Sequence, residues 1–206
     1  MLVIWGRDNS VNVQKALWCC EELALAYRRI NAGGAFGVVD SPSYRRLNPN
    51  ALVPTLDDNG FVLWESNTIV RYLCARYGRG RLWIEDPQAR ALADRWLDWM
   101  VSTFWPALGP LFRGIIRTPA AERNLRAEEE ARVRTADLLR IVDEHLSKQA
   151  HLGGDAFSMG DIAMGCAIWR WFALPIERPP LRNVERWFEA LQQRRAYCKI
   201  VIRPLT

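Results

Sequence analysis

The chain has 206 residues, half of them apolar, a formal net charge of +5 and five cysteines. Its arginines stand singly or in pairs, as at Arg28-Arg29, Arg45-Arg46 and Arg194-Arg195, among Asp and Glu; without clustered cations, no nucleic-acid partner is expected. With no run of about 18 apolar residues and an N-terminal apolar stretch that stops at Gly6-Arg7, neither a membrane span nor a signal peptide is expected, and the odd, apolar-flanked cysteines fit a reducing, cytoplasmic setting.

Leu2 to Trp5 is a short apolar run that predicts a buried strand. Gly6 to Asn9 turns the chain into a helix whose Val13, Ala16, Leu17, Cys20, Leu23 and Ala24 recur at helical spacing. Asn9, Ser10 and Asn12 are all good capping types for its start. Tyr27 to Ala32 predicts a second strand, Gly33 to Gly37 a loop, and Ser41-Pro42-Ser43 the start of a short helix. The glycines do not form a phosphate loop, because no Lys-Ser/Thr follows them. Pro54-Thr55-Leu56 and Phe61 to Trp64 predict two strands joined by a hairpin turn at Asp57-Asp58-Asn59-Gly60. Glu65-Ser66-Asn67 then opens a helix carrying Ile69, Val70, Leu73 and Tyr77.

Gly78 to Pro87 marks a domain boundary, beyond which strand signals end. Gln88 to Phe104 predicts a helix with Leu92, Trp96, Trp99 and Thr103 on one face, kinked or interrupted afterwards by Pro106 and Pro110. Ala120 to Lys148 predicts a long helix with Thr135, Leu139, Val142 and Leu146 inward, and with Glu128-Glu129-Glu130 in solvent. Ser158-Met159-Gly160-Asp161 has the form of a capping box before the apolar run Ile162 to Trp169, a helix apolar on every side and so a central one. Arg182 to Gln193 predicts a final amphipathic helix. An α/β domain over residues 1–79 is therefore expected ahead of an all-α domain over residues 87–206. His145, expected on a helix surface, and His151 lack ligand-spaced partners, and no C-x-x-C pair occurs, so neither metal nor dithiol chemistry is expected.

The β-α-β-α-β-β-α order followed by helices resembles the cytosolic glutathione transferase family. Four motifs carry the resemblance: Ser10 standing fourteen residues before Ala24 of ELAL, NPNALVPTL at Asn48–Leu56, Glu65-Ser66, and Ser158 to Asp161. The resemblance implies an α/β thioredoxin-like N-terminal domain followed by an all-α C-terminal domain, glutathione as co-substrate with no further cofactor, a hydrophobic electrophile as second substrate, and a homodimer. A free thiol is only a few per cent thiolate at about pH 7, and the thiolate is the nucleophile. By the resemblance, Ser10 at a helix N-terminus stabilises that thiolate, with Asn12 as a second donor. It also implies a cis Val53-Pro54 bond beside Leu52, with the Val53 backbone pairing the cysteinyl part of glutathione. Glu65 and Ser66 would hold the γ-glutamyl ammonium and carboxylate. Trp105, Leu108, Phe112 and Arg113 would wall the second-substrate pocket, and Asp98 would reach a partner subunit's glutathione. Ser10-Val11-Asn12 also resembles the Nu-type members, which reduce disulfides, so conjugation, disulfide or peroxide reduction and a non-catalytic binding role all stay open. Ala51 and Leu52 depart from the family's Gly and Lys, Arg or Gln, which leaves the glycyl carboxylate to Arg45 or Arg46 as candidates.

Overall fold

The apolar run at the N-terminus becomes the middle of a sheet. In the computed structural model, which describes residues 1–206, β1 (Leu2–Trp5) pairs in parallel with β2 (Tyr27–Ile30) and antiparallel with β3 (Thr55–Asp58), and β3 pairs with β4 (Phe61–Trp64), giving the order β2-β1-β3-β4. Ile4 stands opposite Leu56, and both are fully buried. Parallel neighbours need a crossover. It is supplied by α1 (Val11–Glu22), which packs beside α3 (Ser66–Tyr77), while the short α2 (Pro42–Leu47) leads from β2 towards β3.

The predicted order of elements is present, with shifted edges. β2 stops at Ile30, and Gly34–Phe36 forms a single 3-10 turn within the predicted loop. Asp57 and Asp58 belong to β3, so the hairpin turns on Asn59-Gly60 alone; both residues have positive φ, 53° and 94°, the two-residue geometry that suits twisted strands.

The helical half begins at α4 (Pro87–Trp99), capped by Asp86 on the Ala89 amide at 2.7 Å. Its inward face carries Ala93, Trp96 and Leu97, continued by Met100 just beyond it, whereas Leu92 is exposed. The chain does not break at the prolines. A π-helical turn at Met100–Phe104 carries it into α5 (Trp105–Arg117), and that widened turn lets the helix pass Pro106, which has no N–H to donate. The next helix starts later than predicted, after a 3-10 turn at Ala120–Glu122, as α6 (Leu125–Leu146) with Asn124 as its cap. Thr135, Leu139, Val142 and Leu146 are all fully buried on it. Glu128 departs from the solvated run: it turns inward, and both its oxygens accept from Arg123.

α7 (Met159–Ala173) is the central helix, and its capping box is formed. Asp161, fully buried, accepts from the amides of Ser158 and Leu152, both at 3.0 Å, and from Trp187 Nε1 at 2.9 Å. After α8 (Arg182–Gln192) comes a helix not predicted, α9 (Arg195–Ile200), which is too short to show a period. His145 is half-buried and not on the surface: its ring packs 4.8 Å from that of Trp96, and Nε2 lies 3.0 Å from the Leu152 carbonyl. Cys19, Cys20, Cys74 and Cys166 are buried and Cys198 is exposed. One hydrophobic cluster joins both halves through the packing of α1 on α7. No helix is long and apolar enough to cross a membrane.

Candidate active site

Two cavities flank the turn between β1 and α1. Asn12, Asn48, Asn50, Leu52, Val53, Pro54, Glu65 and Ser66 line a narrow cleft of about 70 Å³. Arg7, Asp8, Asn9, Gly34, Ala35, Phe36, Arg117 and Thr206 line a wider one of about 370 Å³. Ser10 lies in the chain between Asn9, which borders one cavity, and Asn12, which borders the other.

Ser10 caps α1. Extended backbone (φ −79°, ψ 126°) lets its Oγ accept from the Val13 amide, at a long 3.5 Å, and the hydroxyl donates to no protein group. The hydroxyl hydrogen is therefore free to turn towards a ligand, although the residue is only 9% exposed.

The cleft brings Asn12 together with all five residues singled out for binding, Leu52, Val53, Pro54, Glu65 and Ser66. The Val53-Pro54 bond is cis. The Val53 amide and carbonyl make no backbone hydrogen bond, which leaves both for a ligand strand. Two residues given no role from sequence hold this loop. Tyr44 Oη donates to the Leu52 carbonyl at 2.7 Å, and Asn48 Nδ2 donates to the same oxygen at 2.9 Å. Glu65 sits at φ 71°, ψ 110°, a region that costs a non-glycine residue about 1–3 kcal/mol and is kept where the surroundings enforce it. Its carboxylate is exposed at the N-terminus of α3, ahead of the buried Ser66 and Asn67.

Behind Ser66 lies a cation that the sequence reading missed. Lys15 Nζ donates to Ser66 Oγ at 3.3 Å and to Asn67 Oδ1 at 3.1 Å, and Ser66 Oγ in turn donates to Asn12 Oδ1 at 3.3 Å. Lys15 is fully buried, and burial pulls its pKa down to about 8. The available signal was its setting: a lone lysine beside the apolar run Ala16 to Cys20.

The proposed wall of the second-substrate pocket is placed differently. Leu108 and Phe112 turn into the core, Trp105 is half-buried and Arg113 is exposed; none of the four lines the wider cavity, to which α5 contributes Arg117. The apolar stripe of α5 is used for packing on α6 and α7, and only the helix end reaches the cavity. Arg45 pairs with Asp40 at 2.8 Å, and neither it nor Arg46 lines the cleft. Asp98, together with Asp94, holds Arg71 of α3, each at 2.6 Å.

Comparison with known proteins gives the arrangement its context. Residues 5–81 match the glutathione S-transferase N-terminal domain model, and residues 118–190 match the C-terminal domain model. Glutathione S-transferase GstB of Escherichia coli (strain K12) is 40% identical over 208 residues, covering 100% of both chains. The theta class glutathione S-transferase of Xanthomonas axonopodis pv. citri, solved with glutathione bound, superposes with a TM-score of 0.96 at 50% identity over 100% of this chain and 99% of that one. Its apo form gives a TM-score of 0.88 at 44% identity, over 100% of this chain and 98% of that one. Matched in both halves by the domain models, and over its whole length by these relatives, the chain belongs to the glutathione S-transferase family.

Proposed function

We propose that the protein conjugates the thiolate of glutathione to an electrophilic small molecule, with Ser10 as the donor to sulfur. The observation that carries this is the undonated Ser10 hydroxyl at the N-terminus of α1, set between two cavities. Glutathione lies in the Asn12 cleft. Its cysteinyl backbone pairs with the Val53 amide and carbonyl as an added strand. The γ-glutamyl carboxylate sits on Ser66 and the first amides of α3, and its ammonium faces Glu65. The side chain of Asn50 takes the glycyl carboxylate in place of a cation. The sulfur then reaches Ser10, where the hydroxyl and the positive end of the helix both favour the anion. Asn12, already accepting from Ser66, orients the cleft.

A hydrogen bond to a charged group contributes about 1.5–3 kcal/mol, so Ser10→Ala is expected to lower kcat/KM for chlorodinitrobenzene about 10- to 100-fold. The ultraviolet absorbance of bound thiolate should fall with it. Unchanged rates of conjugation, peroxide reduction and disulfide reduction, with glutathione still bound, would remove Ser10 from the role.

The same reading includes a homodimer. Phe61 and Trp64 on the edge strand β4, and Leu92 and Val101 on the first helical stretch, expose apolar area that a second copy would cover. Light scattering should give twice the mass of the 23.7 kDa chain; a monomer at working concentrations would refute it.

A further inference from the structure

With glutathione in the Asn12 cleft, the cavity on the Asn9 side of Ser10 is left for the second substrate, and its walls carry charge. Arg7 and Arg117 line it, and Arg170 of α7 lies behind them. Neither Arg7 nor Arg170 has a carboxylate partner. Arg7 Nη1 donates to Asn9 Oδ1 at 2.8 Å. Arg117 donates through Nε and Nη2 to the Thr206 carbonyl at 3.1 and 2.9 Å. Arg170 donates to the carbonyls of Cys166 at 2.7 Å and Asn9 at 3.0 Å. The Phe112 ring stands between two of these cations, 5.1 Å from the Arg117 guanidinium and 6.0 Å from that of Arg170. Asp8, the acidic side chain in the wall, already faces Arg29 at 3.5 Å.

Neighbouring cations repel one another. Burial and then the nearness of Arg117 lower the Arg7 pKa; burial, with Arg117 and Arg7 adding to it, brings Arg170 to about 10. A neutral apolar electrophile would cover this cluster without relieving it. An anionic one would complete it, laying its body against Phe36 and Ala35, which are exposed in the same wall. The carboxylates of glutathione are accounted for on the other side of Ser10.

We infer that the second substrate is an electrophile carrying a carboxylate, which Arg7 and Arg117 hold over the Ser10 turn; this rests on the transferase reading above. For a halide substrate the step balances without an oxidant. The glutathione thiol loses its proton to solvent, its sulfur forms a C–S bond at the carbon bearing the halogen, and the C–halogen bond breaks with halide leaving on the bonding pair.

The test compares chlorodinitrobenzoate with the matching chlorodinitrobenzamide, which differ in charge and little in shape. The readout is the ratio of their kcat/KM values, each corrected for its uncatalysed rate. The wild-type ratio should favour the carboxylate by about 10-fold or more. Arg7→Gln and Arg117→Gln should each reduce the ratio several-fold, and added salt should lower it in the wild type. Because Arg117 also ties down Thr206, Arg117→Lys separates charge from that tie and should keep most of the preference. A wild-type ratio near one overturns the inference. So does an equal fall for both substrates in the two Gln variants, which would assign the arginines to the thiolate. If the amide is conjugated and the benzoate is not, only this inference fails. If neither is conjugated while glutathione binds, the transferase reading fails first and takes this one with it.

Discussion

Ser66 shows how much of the support for a cleft can sit one layer beneath its surface. Its hydroxyl joins Asn12 to Lys15, so the residue that would meet a ligand carboxylate is backed by a buried amine. That amine costs the fold something at neutral pH. In an unfolded chain a lysine keeps its proton to about pH 10.4, whereas Lys15 in the fold gives it up near 8. Between these values the unfolded chain binds more protons, so this group makes stability rise with pH. Lys15→Met should remove that rise: in denaturant unfolding at about pH 7 and about pH 10, the difference between wild type and variant should move towards wild type at the higher pH. A pH-independent difference would mean that Lys15 stays protonated throughout. The positions of Ser10, Glu65 and Ser66 at helix starts were legible in the sequence because each belongs to a local motif. The settings of Lys15, Arg117 and Arg170 were not, because they depend on what other elements bring against them.

α7 illustrates why elements were easier to foresee than the faces they present. Its capping box and all-round apolarity mark it as central from sequence alone, and Asp161 closes three donors around it. Its tightest contact, by contrast, is set by a glycine with no signature. A Cβ on Gly165 would sit 2.6 and 2.7 Å from two ring carbons of Trp18 in α1. Alanine favours a helix interior by up to about 1 kcal/mol, but overpacking a core typically costs about 1–3 kcal/mol. At this distance, against a fully buried ring, the clash wins. Gly165→Ala should therefore lower the thermal midpoint by about 2–8 °C in a chain of this length; an unchanged or raised midpoint would show that Trp18 moves aside. The same dependence on neighbours explains the exposed Leu92, the inward Glu128 and the π turn before Pro106. Helical period records which residues are apolar, and the packing partner decides which side turns in.

At the scale of the whole molecule, the two halves and their order were legible because caps, turns and the loss of strand signals punctuate the chain at family spacing. The narrow cleft gathers residues close in the chain, since nearly all of its lining comes from one stretch, Asn48 to Ser66, with Asn12 added. The wider cavity does not. Its walls come from the β1-α1 turn, the 3-10 turn after β2, the end of α5 and Thr206, residues far apart in the chain that no local pattern connects.

The turn that carries Ser10 is fastened from the other half of the protein. Arg170 of α7 holds the Asn9 carbonyl, and Gln14 Nε2 ties the Asp8 carbonyl to that of Ile200 in α9, at 2.9 and 3.2 Å. A chimera that kept residues 1–79 and borrowed its helices from a relative would lose whichever of these anchors the donor lacked. Recombination at the linker would thus disturb the Ser10 turn along with the helical half, and if that turn activates the thiol as proposed, thiol activation and substrate choice are inherited as a pair.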